Sequence, residues 1–212
     1  MKETGLPPDT SSEDQILWKQ MLRGNSPAFE RLMALHINAL YQYGQKFSKN
    51  PEFVKDIIQD LFLYIWLHRD HLNPNIIVRP YLMASLRRMM HRASHKQGRF
   101  EHETDITFDV EFSVEQNYIH HENSQLLSLN IRKKLDELPA RQKEVIYLKF
   151  YQDLSREQIS EIMQITPQTV SNLLQIAIKH LRKQWKDAFF YLICFLVLCC
   201  ITTIYKDTFF LI

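Results

Sequence analysis

Three helix starts of the same construction constrain this chain more than any other feature. Ser26-Pro27, Asn50-Pro51 and Thr166-Pro167 each pair a capping side chain with a proline. At the first helical position the ring's fixed φ suits the helix and its missing N–H costs nothing. Behind the first start, Phe29, Leu32, Met33, Leu35, His36, Leu40 and Tyr43 recur at roughly helical spacing. Behind the second, Val54, Ile57, Ile58, Leu61 and Ile65 are separated by threes and fours. Asn73-Pro74-Asn75 then breaks the chain, and another helix is expected from about Arg79. With four glycines and eight prolines in 212 residues, 45% of them apolar, little interrupts these stripes. The expected fold class is all-α, built of two small helical domains.

The net charge of +2 conceals an uneven distribution. Arg79 to Phe100 holds six Lys/Arg and no acid, whereas Glu101 to Ile131 holds seven Asp/Glu and no Lys/Arg. Such a reversal reads as a nucleic-acid face beside an acidic linker. Residues 100–127 also lose helical periodicity, so the expected organisation is a helical block over 12–99, a linker over 100–127, a second block over 128–186 and an apolar tail over 187–212. Met1 to Gln20 lacks the basic start and apolar core of a secretory signal, and reads as a flexible lead of polar residues and prolines.

Enzymatic chemistry finds no support. There is no glycine-rich phosphate loop, nucleophile–base order or paired-carboxylate cleft, so no catalytic residue and no cofactor is expected. Cys194, Cys199 and Cys200 cluster in the tail, without the spacing of a zinc ribbon or disulfide framework. His91 and His95 are four apart but sit among arginines that would repel a cation, so no metal is expected either.

The second block carries a helix-turn-helix at about 155–183. Ser155 caps a helix whose apolar face is Ile159, Ile162 and Met163; Gln164-Ile165 makes a short turn; Thr166-Pro167 restarts the chain. In the second helix Val170, Leu174, Ala177 and Leu181 share a face, and Gln168, Thr169, Ser171, Asn172 and Gln175 occupy the other. Short amide and hydroxyl side chains near a helix N-terminus suit base edges in the major groove. Lys179, Arg182 and Lys183 suit backbone phosphates, a sequence-independent and salt-sensitive contact.

The segment from Leu138 to Phe150, read Leu-Pro-Ala-Arg-Gln-Lys-Glu-Val-Ile-Tyr-Leu-Lys-Phe, is followed by Leu154 to Met163 and by Thr169-Val170. Together these resemble region four of bacterial sigma factors. Asp56-Ile-Ile-Gln59-Asp60-Leu-Phe62 looks like their region-two motif, and the two-block layout is similar to the extracytoplasmic-function group of the sigma-70 family. The resemblance covers about residues 15–186. It implies a subunit that binds core RNA polymerase and directs promoter recognition and transcription initiation.

Asp56, Gln59, Asp60 and Leu63 fall at i, i+3, i+4 and i+7, on a helix face opposite the apolar stripe. The resemblance assigns that face to the clamp helices of the polymerase's largest subunit. Tyr81, Arg87, Arg88, Arg92 and Lys96 of the basic helix are implied to melt and hold the minus-ten element, where aromatics beside cations suit single-stranded DNA. Gln168, Thr169, Ser171, Asn172, Gln175 and Lys179 are implied to read the minus-thirty-five element. The acidic linker is implied to thread the polymerase's cationic channel. Two departures stand out: Arg88 where such relatives often carry Asn, and Leu173, Ile176 and Ile178 at positions often basic, which implies weak binding of DNA by the isolated chain.

Ala188 to Tyr205 is 18 residues without a charge, preceded by Lys179, Arg182, Lys183 and Lys186. A helix of that length reaches roughly 27 Å, close to the thickness of a bilayer's hydrocarbon. The expectation is a cytoplasmic protein with residues 188–205 as a candidate tether to the inner membrane. The implied partners are core RNA polymerase and promoter DNA, with an anti-sigma factor and the membrane as further candidates. Two other readings stay open: a helix-turn-helix regulator acting without polymerase, and a membrane-anchored signalling protein.

Overall fold

A computed structural model describes residues 10–96, 108 and 135–181. All regular structure among them is helical. α1 (Thr10–Leu22), α2 (Ser26–Gly44), α3 (Pro51–Leu67) and α4 (Val78–Lys96) form the first block, with a 3-10 turn at Arg69–His71. α5 (Ala140–Ile146), a π-helical turn (Tyr147–Tyr151), α6 (Arg156–Met163) and α7 (167–181) form the second.

The caps follow the sequence with one shift. Asn50 Oδ1 accepts from the backbone N–H groups of Glu52 and Phe53, at 3.1 and 3.3 Å. For α2 the cap is Asn25 rather than Ser26: Asn25 Oδ1 accepts from the Ala28 N–H at 3.0 Å. Ser26 is already helical and Pro27 stands inside the first turn, where its missing N–H is still one of the unpaired four.

The lead read as flexible up to Gln20 is helical from Thr10. Trp18 and Met21 are wholly buried, and the Trp18 indole N–H donates to the Asn73 carbonyl at 3.0 Å. Two large side chains three apart suffice to seat a helix when other helices wait to receive them.

The stripes of α2 and α3 meet as expected. Leu32, His36, Leu40 and Tyr43 of α2 are buried, and so are Val54, Ile57, Ile58, Leu61 and Ile65 of α3. α4 closes the first block with Val78, Leu82, Met83, Leu86 and Met90. Its other flank receives α6, so the apolar core runs without interruption from Trp18 to Ala177. The two blocks thus share one core.

Within the second block, Pro139 precedes α5 and Val145, Ile146 and Leu148 are buried. The π turn ends as the Gln152 N–H reaches the Tyr147 carbonyl at 3.2 Å, and Asp153 then takes a positive φ of 49°. Among the described residues no helix is long and apolar enough to cross a membrane. The segment 188–205 lies outside the described residues.

At Gly44 of α2 an added Cβ would stand 2.6 Å from Val54 Cγ1 of α3. Gly44→Ala should lower the melting temperature despite alanine's better helix propensity. Overpacking costs about 1–3 kcal/mol, against about 1 kcal/mol gained in propensity. Thermal unfolding followed by circular dichroism checks the sign.

Candidate nucleic-acid interface

The helix-turn-helix is built by local hydrogen bonding. Ser155 and Gln158 form a capping box: Ser155 Oγ accepts from the Gln158 N–H at 3.2 Å, and Gln158 Oε1 accepts from the Ser155 N–H at 2.8 Å. α6 ends on Gln164 in the left-handed region, φ 55° and ψ 46°, which reverses the chain within two residues. Thr166 Oγ1 then accepts from the Thr169 N–H at 3.1 Å and caps α7. Val170 and Ala177 are wholly buried, holding α7 against the core along the expected face.

The opposite face is presented outward. Gln168, Asn172, Gln175 and Lys179 are exposed, while Thr169 and Ser171 are half-buried. Gln168 Nε2 donates to Asn172 Oδ1 at 3.1 Å, so the two amides form one polar edge with donors and acceptors left over. Ile176 is 53% exposed beside them, an apolar surface among the polar ones.

On α3, Asp56, Gln59, Asp60 and Leu63 share the outward face, with Leu63 53% exposed. Gln59 and Leu63 also border an apolar cleft of about 670 Å³ between α2 and α3, walled by Phe29, Met33, Ile37 and Phe62. Carboxylates beside an open apolar cleft make a surface for a partner that is basic at its rim and apolar at its centre.

α4 is divided between surface and core. Arg88 and Arg92 are exposed, and Arg88 Nη2 donates to Ser85 Oγ at 3.0 Å. Tyr81 is half-buried, edge-on to Trp18 with ring centroids 5.6 Å apart, and burial raises its hydroxyl pKa. The side chain of Lys96 lies outside the described residues. Arg87 points inward and is only 6% exposed.

Arg87 there meets Glu144, which no sequence reading singled out as a site residue. Its Nε and Nη2 donate to Glu144 Oε1 and Oε2, at 2.8 and 3.2 Å, and Tyr43 Oη donates to Glu144 Oε1 at 2.6 Å. Glu144 is 1% exposed. The cluster joins α2 and α4 to α5, across the boundary between the blocks. Around it the Tyr43 and Tyr147 rings stack 7° from parallel, and Phe108 of the linker packs edge-on to Phe47 at 5.1 Å and to Tyr147 at 5.9 Å. Arg79 of α4 also donates to Gln152 beyond the π turn. Periodicity marks Tyr43 as buried but not its bond to Glu144, because the partners are single residues drawn together from distant segments.

Burial, followed by the charge on Glu144, holds the Tyr43 hydroxyl well above the ordinary tyrosine value of 10.0, and burial raises Tyr147 as well. The folded protein keeps these protons while the unfolded chain releases them near pH 10. Stability is therefore full below that pH and falls as the pH rises beyond it. In an alkaline titration followed by tyrosinate absorbance, both phenolates should emerge only with the loss of helical signal. Tyr43→Phe should weaken the pH dependence above pH 10.

Residues 128–181 match the sigma-70 region 4 family. The chain is 23% identical over 177 residues to the ECF RNA polymerase sigma factor SigW of Bacillus subtilis, covering 80% of this chain and 95% of that protein. It is 27% identical over 149 residues to the RNA polymerase sigma factor SigV of the same organism, covering 70% and 86%. Among solved structures its fold is similar to that of CnrH in complex with the cytosolic domain of CnrY, with TM-score 0.56, 22% identity, and coverage of 82% of this chain and 98% of that one. It is also similar to the sigma factor RpoE in complex with the anti-sigma factor NepR from Bartonella quintana, with TM-score 0.52, 19% identity, and coverage of 74% and 96%.

Proposed function

We infer that this chain is a sigma factor of the sigma-70 family, extracytoplasmic-function group, directing transcription initiation, and that its surfaces divide that work. The outward face of α3, with Asp56, Gln59, Asp60 and Leu63, binds the clamp helices of core RNA polymerase. Tyr81, Arg87, Arg88, Arg92 and Lys96 of α4 engage the minus-ten element. Gln168, Thr169, Ser171, Asn172, Gln175 and Lys179 of α7 read the minus-thirty-five element in the major groove.

The observation that carries this reading is the helix-turn-helix itself. Its capping box, left-handed turn and capped second helix hold a polar edge outward on a helix anchored at Val170 and Ala177. The rival reading, a regulator acting without polymerase, is not favoured, because the relatives are named as polymerase sigma factors. The α3 face supplies what such a regulator would not need.

The blocks 12–99 and 128–186 serve as the two DNA-reading units, with residues 100–127 between them. The protein acts in the cytoplasm, and residues 188–205 tether it at the inner membrane. An anti-sigma factor restrains it, a role suggested by the complex of RpoE with NepR.

Run-off transcription with purified core polymerase tests the central reading. The wild-type chain should bind core and start transcription at defined sites; failure of both would remove the sigma reading. Asp56→Lys with Asp60→Lys should abolish core binding while the fold persists. Gln168→Ala with Asn172→Ala should leave core binding intact and flatten promoter discrimination, at about 1–3 kcal/mol for each base pair whose bidentate contact is lost. Membrane fractionation with and without residues 187–212 tests the tether.

A further inference from the structure

The surfaces proposed to engage DNA belong to blocks held against one another in this structure. α4 packs against α6, and Arg87 is buried in the joint with both Glu144 oxygens accepting from its guanidinium. A carboxylate and a phosphate present the same feature to a guanidinium: two oxygens placed for a bidentate, charge-assisted pair. Glu144 therefore engages Arg87 as a DNA phosphate would. Tyr43 fixes the carboxylate from the α2 side, and Phe108, 3% exposed, brings the linker into the aromatic cluster beside it.

Dimensions make the closed form incompatible with a promoter. Elements named for positions ten and thirty-five are about 25 base pairs apart, or about 85 Å along the duplex at 3.4 Å per base pair. A closed body of the size of the described residues, 10–96 with 135–181, has a radius of gyration of about 14 Å and a diameter of about 37 Å. One such body cannot cover both elements. Separated blocks can, since the chain between Lys96 and Leu135 spans up to about 130 Å when extended.

We propose that Glu144 is an internal phosphate mimic that latches the resting factor closed. It occupies Arg87 until promoter engagement parts the blocks, with Tyr43 orienting the carboxylate and Phe108 wedging the linker into the joint. This rests on the reading of Arg87 as a DNA contact. Removing the charge of Glu144 takes from Arg87 the bidentate carboxylate that holds α4 to α5. In a molecule of two linked blocks, the weakened joint parts and Arg87 returns to water.

The test uses the full chain with Cys194, Cys199 and Cys200 replaced by serine and spin labels on Glu30→Cys and Glu161→Cys, both exposed positions. Distances are read by pulsed electron resonance, and binding to a dye-labelled single-stranded oligothymidine by anisotropy. The wild type should give a predominantly short distance. Glu144→Gln should add a long-distance population and tighten oligonucleotide binding about tenfold, as a closed fraction near nine-tenths is released. Adding Arg87→Ala should cancel that gain.

If Glu144→Gln, folded by circular dichroism, stays wholly at the short distance, the latch is overturned whatever the DNA does. If it opens but binding does not tighten, or tightens equally without Arg87, the latch holds mechanically but Arg87 is not a DNA contact. The phosphate-mimic role then falls together with that part of the proposed function. Should Glu144→Gln fail to fold, Phe108→Ala carries the distance measurement with the buried charges intact. It should open the joint, and a closed distribution would overturn the proposal.

Discussion

A carboxylate removed from water must find donors for both oxygens, and Glu144 finds them in Arg87 and Tyr43. The cost of burying such a pair is several kcal/mol per ion, so the pair itself need not add stability. What it adds is a condition on geometry. α2, α4 and α5 must sit where three polar groups converge, and losing one partner while the others stay buried costs about 3–5 kcal/mol. Apolar packing rewards burial without direction, whereas the charged cluster adds directional bonds that fix how the blocks meet.

That condition organises the surrounding aromatic packing. Tyr43 donates to Glu144 while its ring lies face to face with Tyr147, the two stacked 7° from parallel. The space beside them is closed by Phe47 and by Phe108, which ties the linker to the joint. Lys46 lies over the Tyr147 ring, 5.8 Å from its centroid. The polar cluster and the aromatic shell exclude water together, and low local dielectric strengthens each of the bonds inside.

Much of the fold was legible in the chain. The stripes of α2 and α3, the cap at Asn50, and the capping box, turn and restart of the helix-turn-helix follow from spacing and from the chemistry of short polar side chains. Where the reading erred, the cause was the competition between neighbours. Asn25 outcompetes Ser26 because it lies one residue earlier, where the backbone is extended and its amide reaches the Ala28 N–H. The start of the first helix was blurred, since the block expected from residue 12 overlapped a lead read as flexible up to Gln20; the burial of Trp18 and Met21 against other helices is what orders that segment. The π turn at Tyr147–Tyr151 has no periodic signature, since it is a departure from the period itself.

The sequence by itself determined the starts of α3, α6 and α7, their caps and the polar edge of α7, because these depend on backbone sterics and on hydrogen bonds within four residues. It also determined that α4 is basic. Which arginine faces solvent was decided only in three dimensions. Arg87 and Arg88 are adjacent and chemically identical, yet one pairs with a glutamate 57 residues away and the other remains exposed. Tyr43 reaches the same glutamate across 101 residues. A helix turns about 100° per residue, so neighbours of the same type face different surroundings, and only the packing of distant segments settles what each side chain meets.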